Sequence, residues 1–356
     1  GTVWTSRLGL IRAADQVLTI SERTAADATE HLGIHPERIT VIDSGVSPKM
    51  AELAPTRERA EEILRGVSRR LRPGYLLYVG GDDPRKNLEG LLRAYALLPP
   101  ELRARHQLVV VFRMTTARKL QLLAFARSLG ISARDVLMTG FVADEELAAL
   151  YGACELFVFP SLYEGAGLPV LEAMSCGAPV AAGATSAVPE MLGDREATFD
   201  PADPADFAAT GREALEAPGR LEALRERSRR QAGVFTWDRV GEKTLAGYER
   251  ALAAPAERSR RPIPPAPEPG PRLEPAERRP ARKVPAGGVW VDAQGTQSVE
   301  HGERGIARFI AEHTKALLRV EPDVLGSVRL APELPPPASL AELRESGLLA
   351  SSAASP

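Results

Sequence analysis

The sequence has little of what marks several large protein classes. Its 356 residues include two cysteines, Cys154 and Cys176, and five histidines without the spacing of a metal site. The formal net charge is only −2, so no basic excess points to nucleic acid as a partner. No apolar run reaches the length that a bilayer-crossing helix needs. These shortages argue against a disulfide scaffold, a zinc module and a nucleic-acid-binding protein.

What is present suffices for a buried core. Hydrophobic residues make up 44% of the chain, and its length allows two or three domains. The two cysteines are then expected to be small buried hydrophobes in a reducing cytoplasm. The chain starts at Gly1 without a methionine, in what reads as the middle of an element, which predicts a piece of a longer protein.

Short apolar runs alternate with helical patterns between residues 7 and 252. Runs rich in Val, Leu and Ile are typical of strands that are buried on both faces. Helical patterns between consecutive runs imply right-handed βαβ units. The sequence therefore predicts an α/β fold with a parallel, Rossmann-like sheet. At the start of two of its helices, Asn87 and Asp144 occupy positions typical of N-caps.

One stretch, residues 156–177, combines a strand, a loop and a short helix. The apolar run Leu156–Phe159 predicts a strand buried on both faces. Pro169 near the first position and Gly177 just past the last predict the ends of the helix. Small residues at 165–167 let the loop backbone approach a ligand closely.

Two carboxylates flank this loop. Glu164 stands at its start, and the sequence places Glu172 in the first helical turn, so both are expected near a helix N-terminus that attracts anions. A ligand that carries phosphates and sugar hydroxyls fits such a site, because N–H groups bind phosphate and carboxylates accept from hydroxyls. On spacing alone, a loop charge and a favourable acid on the helix dipole explain the two residues equally well.

The whole string from Tyr163 to Gly177, Tyr-Glu-Gly-Ala-Gly-Leu-Pro-Val-Leu-Glu-Ala-Met-Ser-Cys-Gly, resembles the Glu-x7-Glu signature of family 4 glycosyltransferases. That family has the GT-B fold of two Rossmann-like domains. The resemblance implies that Glu172 binds the ribose hydroxyls of a nucleotide-sugar and that Glu164 acts on the transferred sugar. The backbone of Gly167 and Leu168 would orient the sugar and the phosphates.

A second loop, Asp82–Asn87, follows the apolar strand that ends at Gly81. Arg85 and Lys86 lie there at the carboxyl end of a strand, just before a helix, which is where open α/β sheets bind ligands. From the residues alone, a solvated loop with mixed charges remains an alternative. The run Gly-Gly-x-x-Pro-Arg-Lys-Asn-Leu resembles the diphosphate-binding loop of a branch of family 4. The resemblance implies donor-binding roles for Gly81, Arg85 and Lys86, and a catalytic role for Lys86 on the departing nucleotide.

The resemblance and a change in composition divide the chain. Residues 1–50 resemble the end of the family's N-terminal, acceptor-side Rossmann domain, and residues 51–253 its C-terminal, nucleotide-sugar-binding domain, whose closing helix packs back on the N-terminal one. Residues 254–287 are rich in Pro, Arg and Glu and are expected to be a disordered linker. Residues 288–331 resemble the start of a second glycosyltransferase, although an unrelated tail remains an alternative. Residues 332–356 are expected to be poorly ordered.

These resemblances imply a glycosyltransferase that moves a sugar from a UDP- or GDP-linked donor to a glycan or lipid-linked acceptor, with retention and without a tightly bound metal or other cofactor. They also imply a cytoplasmic location with a peripheral membrane contact. Two alternatives stay open: an isomerase resembling nucleotide-sugar 2-epimerases, and a catalytically inactive scaffold. A fragment that lacks most of the acceptor domain can be inactive by itself, because the reaction takes place in a cleft between two domains.

Overall fold

The computed structural model of the chain describes residues 2–55, 57–193, 195, 197–253, 289–292, 306–320 and 325–329. The strands are β1 (Val17–Thr19), β2 (Ile39–Val41), β3 (Leu76–Val79), β4 (Leu108–Val111), β5 (Val136–Gly140), β6 (Leu156–Phe159), β7 (Val180–Gly183), β8 (Thr198–Phe199), β9 (Val289–Asp292) and β10 (Leu325–Arg329). The helices are α1 (Thr2–Ala13), α2 (Glu22–Leu32), α3 (Pro48–Glu52), α4 (Arg57–Val67), α5 (Leu88–Leu97), α6 (Pro100–Arg105), α7 (Thr116–Ser128), α8 (Asp144–Ala153), α9 (Leu168–Ser175), α10 (Val188–Leu192), α11 (Pro204–Glu216), α12 (Arg220–Ala232), α13 (Trp237–Ala253) and α14 (Ile306–Val320).

These elements form two compact units, and the boundaries differ from the predicted ones. One unit joins residues 1–45 to the described residues from Trp237 onward, and the other is Val46–Thr236. Residues 46–50 therefore belong with the second unit and α13 with the first. The predicted linker at 254–287 and the tail at 332–356 lie outside the described residues.

The second unit is built on a six-stranded parallel sheet in the order β5-β4-β3-β6-β7-β8. All residues of β3, β4, β6 and β7 are buried, because helices cover both faces. Leu77 and Phe157 face one layer of apolar side chains, and Leu76 and Leu156 face the other. This arrangement confirms the predicted α/β fold with a parallel Rossmann-like sheet.

The strand order reverses between β3 and β6. From β3 the chain moves outward through β4 to β5, then returns to place β6 on the other side of β3. After these two strands the chain therefore leads in opposite directions along the sheet, from β3 to β4 and from β6 to β7. In open α/β sheets this switch point is where ligands bind.

Of the two predicted N-caps, one is wrong. Asp144 is the first residue of α8 rather than its cap, and the N–H of Ala143 donates to the Glu146 carboxylate at 2.7 Å. Asn87 is the N-cap residue of α5, as predicted, although its backbone is left-handed (φ 55°, ψ 39°) and its side chain makes no capping hydrogen bond. The buried face of α5 includes Leu91.

The first unit contains the parallel pair β1 and β2. Ser21 caps α2 by accepting from the Thr24 N–H, and Gly33 ends the helix with a left-handed φ of 66°. Helix α13 belongs to this unit because Lys243 lies 2.5 Å from Asp43. Strand β9, helix α14 and strand β10 follow one another in the sequence, and the two strands pair in parallel. That βαβ order agrees with a Rossmann-type start at residues 288–331, whose membership of a second glycosyltransferase stays a prediction.

Candidate functional site

The first loop of the site follows β3. It closes with a single 3-10 turn, Pro84–Lys86, whose start is fixed by the proline and by Asp83, which accepts from the Arg85 N–H at 2.9 Å. That hydrogen bond lowers the pKa of Asp83 below its ordinary value, and the Arg85 guanidinium, 3.1 Å away, adds to the effect. The turn thereby presents Arg85 and Lys86 at the carboxyl end of β3.

The second loop follows β6, the strand beside β3. The Glu164 N–H donates to the Ser186 Oγ at 2.7 Å, which fixes the backbone that carries this carboxylate. Gly167 then turns the chain into α9 with a φ of 78°, a conformation that favours glycine. Leu168 is the first helical residue, and Pro169 lies in the first turn as predicted.

The two loops meet through an ion pair. The Lys86 Nζ lies 2.5 Å from the Glu164 Oε1, although 78 residues separate them in the sequence. An Arg85 nitrogen lies 3.6 Å from the other oxygen of Glu164. The exposed fractions of the Lys86 and Glu164 side chains are 15% and 7%, whereas that of Arg85 is 47%. The ammonium also lies 5.4 Å from the centre of the Phe159 ring, which favours a cation there.

This geometry brings together three of the residues that the sequence singled out. Lys86, Arg85 and Glu164 form one charged group at the switch point of the sheet. Two cations beside one buried carboxylate can bind a phosphate group on one side and a sugar hydroxyl on the other. Because water is largely kept from Glu164, its charge interacts more strongly there than at an exposed position.

Glu172 lies beyond the position that the sequence predicted. Helix α9 begins at Leu168, and its first turn contains no acidic residue, so the prediction that Glu172 stands in that turn was wrong. Its carboxylate accepts instead from the Tyr151 hydroxyl at 3.2 Å. Burial raises the pKa of Tyr151, so this hydroxyl keeps its proton and can donate.

The glycines of the first loop differ in what surrounds them. A side chain at Gly80 would collide with the Tyr78 hydroxyl, 2.3 Å from the ideal Cβ position, whereas a Cβ at Gly81 would meet nothing within 4 Å. The Gly81 carbonyl accepts from the same hydroxyl at 3.2 Å. The strand end therefore needs a glycine at 80, and Gly81 faces open space that a ligand can occupy.

Sequence reasoning gave no site role to Tyr151 or Phe159. Tyr151 is a buried residue of α8, and Phe159 was predicted only as part of a buried strand. Both are buried, yet each also contacts a charged site residue, Glu172 or Lys86. Their positions in the sequence were the one indication of a site role: Phe159 is the last residue of β6, and Tyr151 lies near the end of the helix that precedes this strand.

Two searches of the described part of the chain bear on metals and membranes. Among those residues, Asp27, Glu30 and His31 on α2 are the group whose ligand-type atoms lie within 4.8 Å of one another. Glu30 and His31 are exposed, and such clusters are common without an ion. No described helix has both the length and the apolar character to span a membrane.

Comparison with known proteins places this unit in a family. Residues 60–231 match the model of "Glycosyl transferases group 1". The mannosyltransferase WbdA of Escherichia coli is 33% identical over 252 residues, which are 71% of this chain and 31% of WbdA. The O-antigen chain mannosyltransferase B of Escherichia coli is 39% identical over 177 residues, which are 49% of this chain and 46% of that protein. The chain thus spans less than half the length of these relatives.

The fold agrees with solved structures. HepE of Anabaena, in complex with UDP and glucose, matches with a TM-score of 0.56 at 21% identity, over 68% of this chain and 64% of HepE. Both loops of the site lie inside the residues that match the family model. The predicted resemblance is therefore confirmed for this part of the chain: residues 60–231 belong to the group 1 glycosyl transferases, the family 4 type of glycosyltransferase with the GT-B fold.

Proposed function

We propose that this chain carries the donor-binding side of an enzyme that transfers a sugar from a nucleotide-diphosphate sugar to an acceptor hydroxyl. The observation that carries the proposal is the meeting of Lys86 and Glu164 at the carboxyl ends of neighbouring strands, where the strand order reverses. An ion pair that only joined two surface loops could form anywhere on the protein surface, whereas this pair lies at the edge of the sheet where ligands bind.

Each site residue has a role in the proposal. Lys86 and Arg85 bind the diphosphate, Lys86 as a point charge and Arg85 as a two-pronged donor. The backbone at Gly81 leaves space for the phosphates, and the N-terminus of α9 at Gly167 and Leu168 adds N–H donors that have no partner inside the helix. Glu172, held by Tyr151, accepts from the ribose hydroxyls.

The chemical step follows from these charges. The bond between the anomeric carbon and the diphosphate oxygen breaks, the electron pair stays on the leaving diphosphate, and the acceptor oxygen forms the new bond as its proton passes to an oxygen of that diphosphate. Lys86 and Arg85 stabilise the negative charge on the diphosphate, and Glu164 stabilises the positive charge that builds on the sugar ring. We propose transfer with retention and without a tightly bound metal, as the family resemblance implies.

The relatives indicate a substrate class. Both of those above are named mannosyltransferases, and one is named for the O-antigen chain. We therefore propose a hexose of the mannose type as the transferred sugar and a glycan as the acceptor, which could be carried on lipid at the cytoplasmic face of a membrane. The nucleotide of the donor is UDP or GDP, and direct binding measurements distinguish the two.

Calorimetric titration of the chain with UDP and with GDP tests the donor site. Binding of one nucleotide should weaken by about 10- to 100-fold in Lys86→Ala, since a hydrogen bond to a charged group contributes roughly 1.5–3 kcal/mol. Lys49→Ala is the matched control, because Lys49 lies in the same unit, is 64% exposed and pairs only loosely with Asp144 at 3.9 Å. Equal binding by wild type and Lys86→Ala would remove Lys86 from the site.

Product analysis of the full-length protein then separates the alternatives. Incubation with a nucleotide-linked mannose and a glycan acceptor should release free nucleotide together with a longer glycan. An isomerase would leave the sugar on the nucleotide, and a scaffold would bind nucleotide without turnover. Either result would reject the transferase proposal.

A further inference from the structure

Asn87, the residue after Lys86, has a backbone conformation that few residues other than glycine adopt. Among the described residues, three that are not glycine have positive φ: Asp43, Asn87 and Ser186. Two of these three adjoin the ion pair, since Ser186 accepts from the Glu164 N–H. Such conformations cost free energy, persist only where the surroundings impose them, and are frequent at functional sites.

The Asn87 side chain explains what imposes this conformation. Its Nδ2 donates to the carbonyl oxygen of Pro160 at 3.1 Å and to that of Pro201 at 2.6 Å. Both neighbours can only accept, so the NH2 end of the amide must face them. Pro160 follows β6 and Pro201 follows β8, while Asn87 itself lies in the loop after β3. One amide therefore connects three strand ends.

Gly90 provides the space for this amide. It lies inside α5, where glycine normally weakens a helix, yet an ideal Cβ there would lie 2.3 Å from the Asn87 Oδ1 and 2.6 Å from its Nδ2. Even an alanine at position 90 would push the Asn87 amide away from its two carbonyl partners. Gly90 thus gives a way to disturb Asn87 without changing any group of the donor site.

Hydrogen bonds of the two residues beside Lys86 hold its backbone in place. On one side the Arg85 carbonyl accepts from the Leu162 N–H at 2.7 Å, and on the other the Asn87 amide reaches Pro160. We propose that Asn87 is a positioning residue, which holds the Lys86 ammonium at the place where the diphosphate of a donor can take it over from Glu164. This inference rests on the function proposed above.

Nucleotide affinity gives the first test. Asn87→Asp keeps the shape of the side chain but turns a carboxylate oxygen toward two carbonyl oxygens. We expect the Kd for UDP or GDP, whichever the wild type binds, to rise about tenfold in Asn87→Asp and in Gly90→Ala. Gly211→Ala is the matched control, because Gly211 is also buried inside a helix but a Cβ there meets nothing within 4 Å.

The NMR signal of the Lys86 ammonium gives a second test that needs no nucleotide. The signal is assigned by its absence in Lys86→Arg, and Glu164→Gln shows where it moves when the ion pair is lost. In Asn87→Asp and Gly90→Ala it should move toward that position, whereas in Gly211→Ala it should stay. If the wild type binds neither nucleotide, the proposed function fails while this signal still tests Asn87.

A merely structural role for Asn87 predicts a different pattern. It would lower the melting temperature of Asn87→Asp and leave the Lys86 signal and the Kd of the folded protein unchanged, and this result would overturn the inference. Gly90→Ala keeps the test decisive if Asn87→Asp does not fold. An unmoved Lys86 signal in Gly90→Ala, with unchanged affinity, would overturn it as well.

Discussion

Replacing Glu164 with glutamine should change stability and nucleotide affinity in opposite directions. In the wild type, the Lys86 ammonium lies 2.5 Å from this carboxylate, so a phosphate must compete with Glu164 for the same cation. Glu164→Gln removes the negative charge but keeps the size of the side chain. The folded state loses an ion pair, whereas the diphosphate of UDP or GDP gains easier access to Lys86.

The burial of the pair sets the magnitudes. Loss of one partner from a fully buried pair costs about 3–5 kcal/mol, but Lys86 is 15% exposed and glutamine still accepts a hydrogen bond, so we expect about 1–2 kcal/mol of lost unfolding free energy. For nucleotide binding we expect a gain of about 1 kcal/mol, which is roughly a fivefold lower Kd. Sugar transfer by the full-length protein should nevertheless fall by about 100-fold or more, since the charge beside the sugar is gone.

Urea unfolding and calorimetric titration measure the two effects on the same samples. Glu216→Gln is the matched control: it breaks the pair of Glu216 with Arg212 (2.6 Å), in which the two side chains are 41% and 60% exposed. This surface pair should contribute at most about 0.5 kcal/mol, and the Kd should not change. Weaker nucleotide binding in Glu164→Gln than in the wild type would refute the reasoning, because Glu164 would then support the phosphate site rather than compete with it.

The remaining predictions concern packing, the ribose site and pH. Gly45→Ala should lower the unfolding free energy by about 1–3 kcal/mol, because its Cβ would lie 2.5 Å from the Trp237 ring; urea titration measures this. Tyr151→Phe should raise the Kd for the nucleoside diphosphate about threefold to tenfold in calorimetry, since Glu172 loses the hydroxyl that holds it. Burial holds the pKa of His313 at about 4 rather than 6.5, so the unfolded chain takes up this proton first. The titration of His313 should therefore leave the free energy of unfolding unchanged above pH 6.5 and lower it by up to about 3 kcal/mol as the pH drops from 6.5 toward 4.

Each of these predictions has an outcome that would contradict it. Unchanged urea midpoints in Gly45→Ala would mean that Trp237 moves aside without cost. Wild-type affinity in Tyr151→Phe would mean that Glu172 keeps its position through other contacts. For His313, the comparison is with His313→Phe, which should remove most of the fall in stability between pH 6.5 and 4; an equal fall in both proteins would assign the effect to other groups.

The fold and the main charged residues could be predicted because local signals carry them. The unbroken apolar runs at β4 and β6 indicate buried parallel strands, and Pro169 marks the start of α9. Lys86 and Glu164 could be singled out because each lies in a loop directly after such a strand. These features depend only on neighbours in the sequence.

Other features could not be predicted because they depend on strand order. The direct pairing of Lys86 with Glu164 requires β6 to lie beside β3, which no local pattern specifies. Asn87 could be predicted as the N-cap of α5 from its residue type and place, but the hydrogen bonds that its NH2 group donates to two carbonyls at distant strand ends could not. The start of α9 was predicted correctly, but Glu172 was placed too early: it is the fifth residue of the helix and lies just past the first turn.

The pairing of charges at this edge has a consequence for how quickly a donor arrives. Three cations there already have carboxylate partners: Lys86 has Glu164, Arg85 has Asp83, and Arg118 has Asp82 at 2.7 Å. These pairs cancel much of the positive field that the three cations would project into solvent, so they add little long-range attraction for an anionic nucleotide-sugar. Its association rate constant should change little with ionic strength, so discrimination among nucleotides would reside in how long each one stays bound.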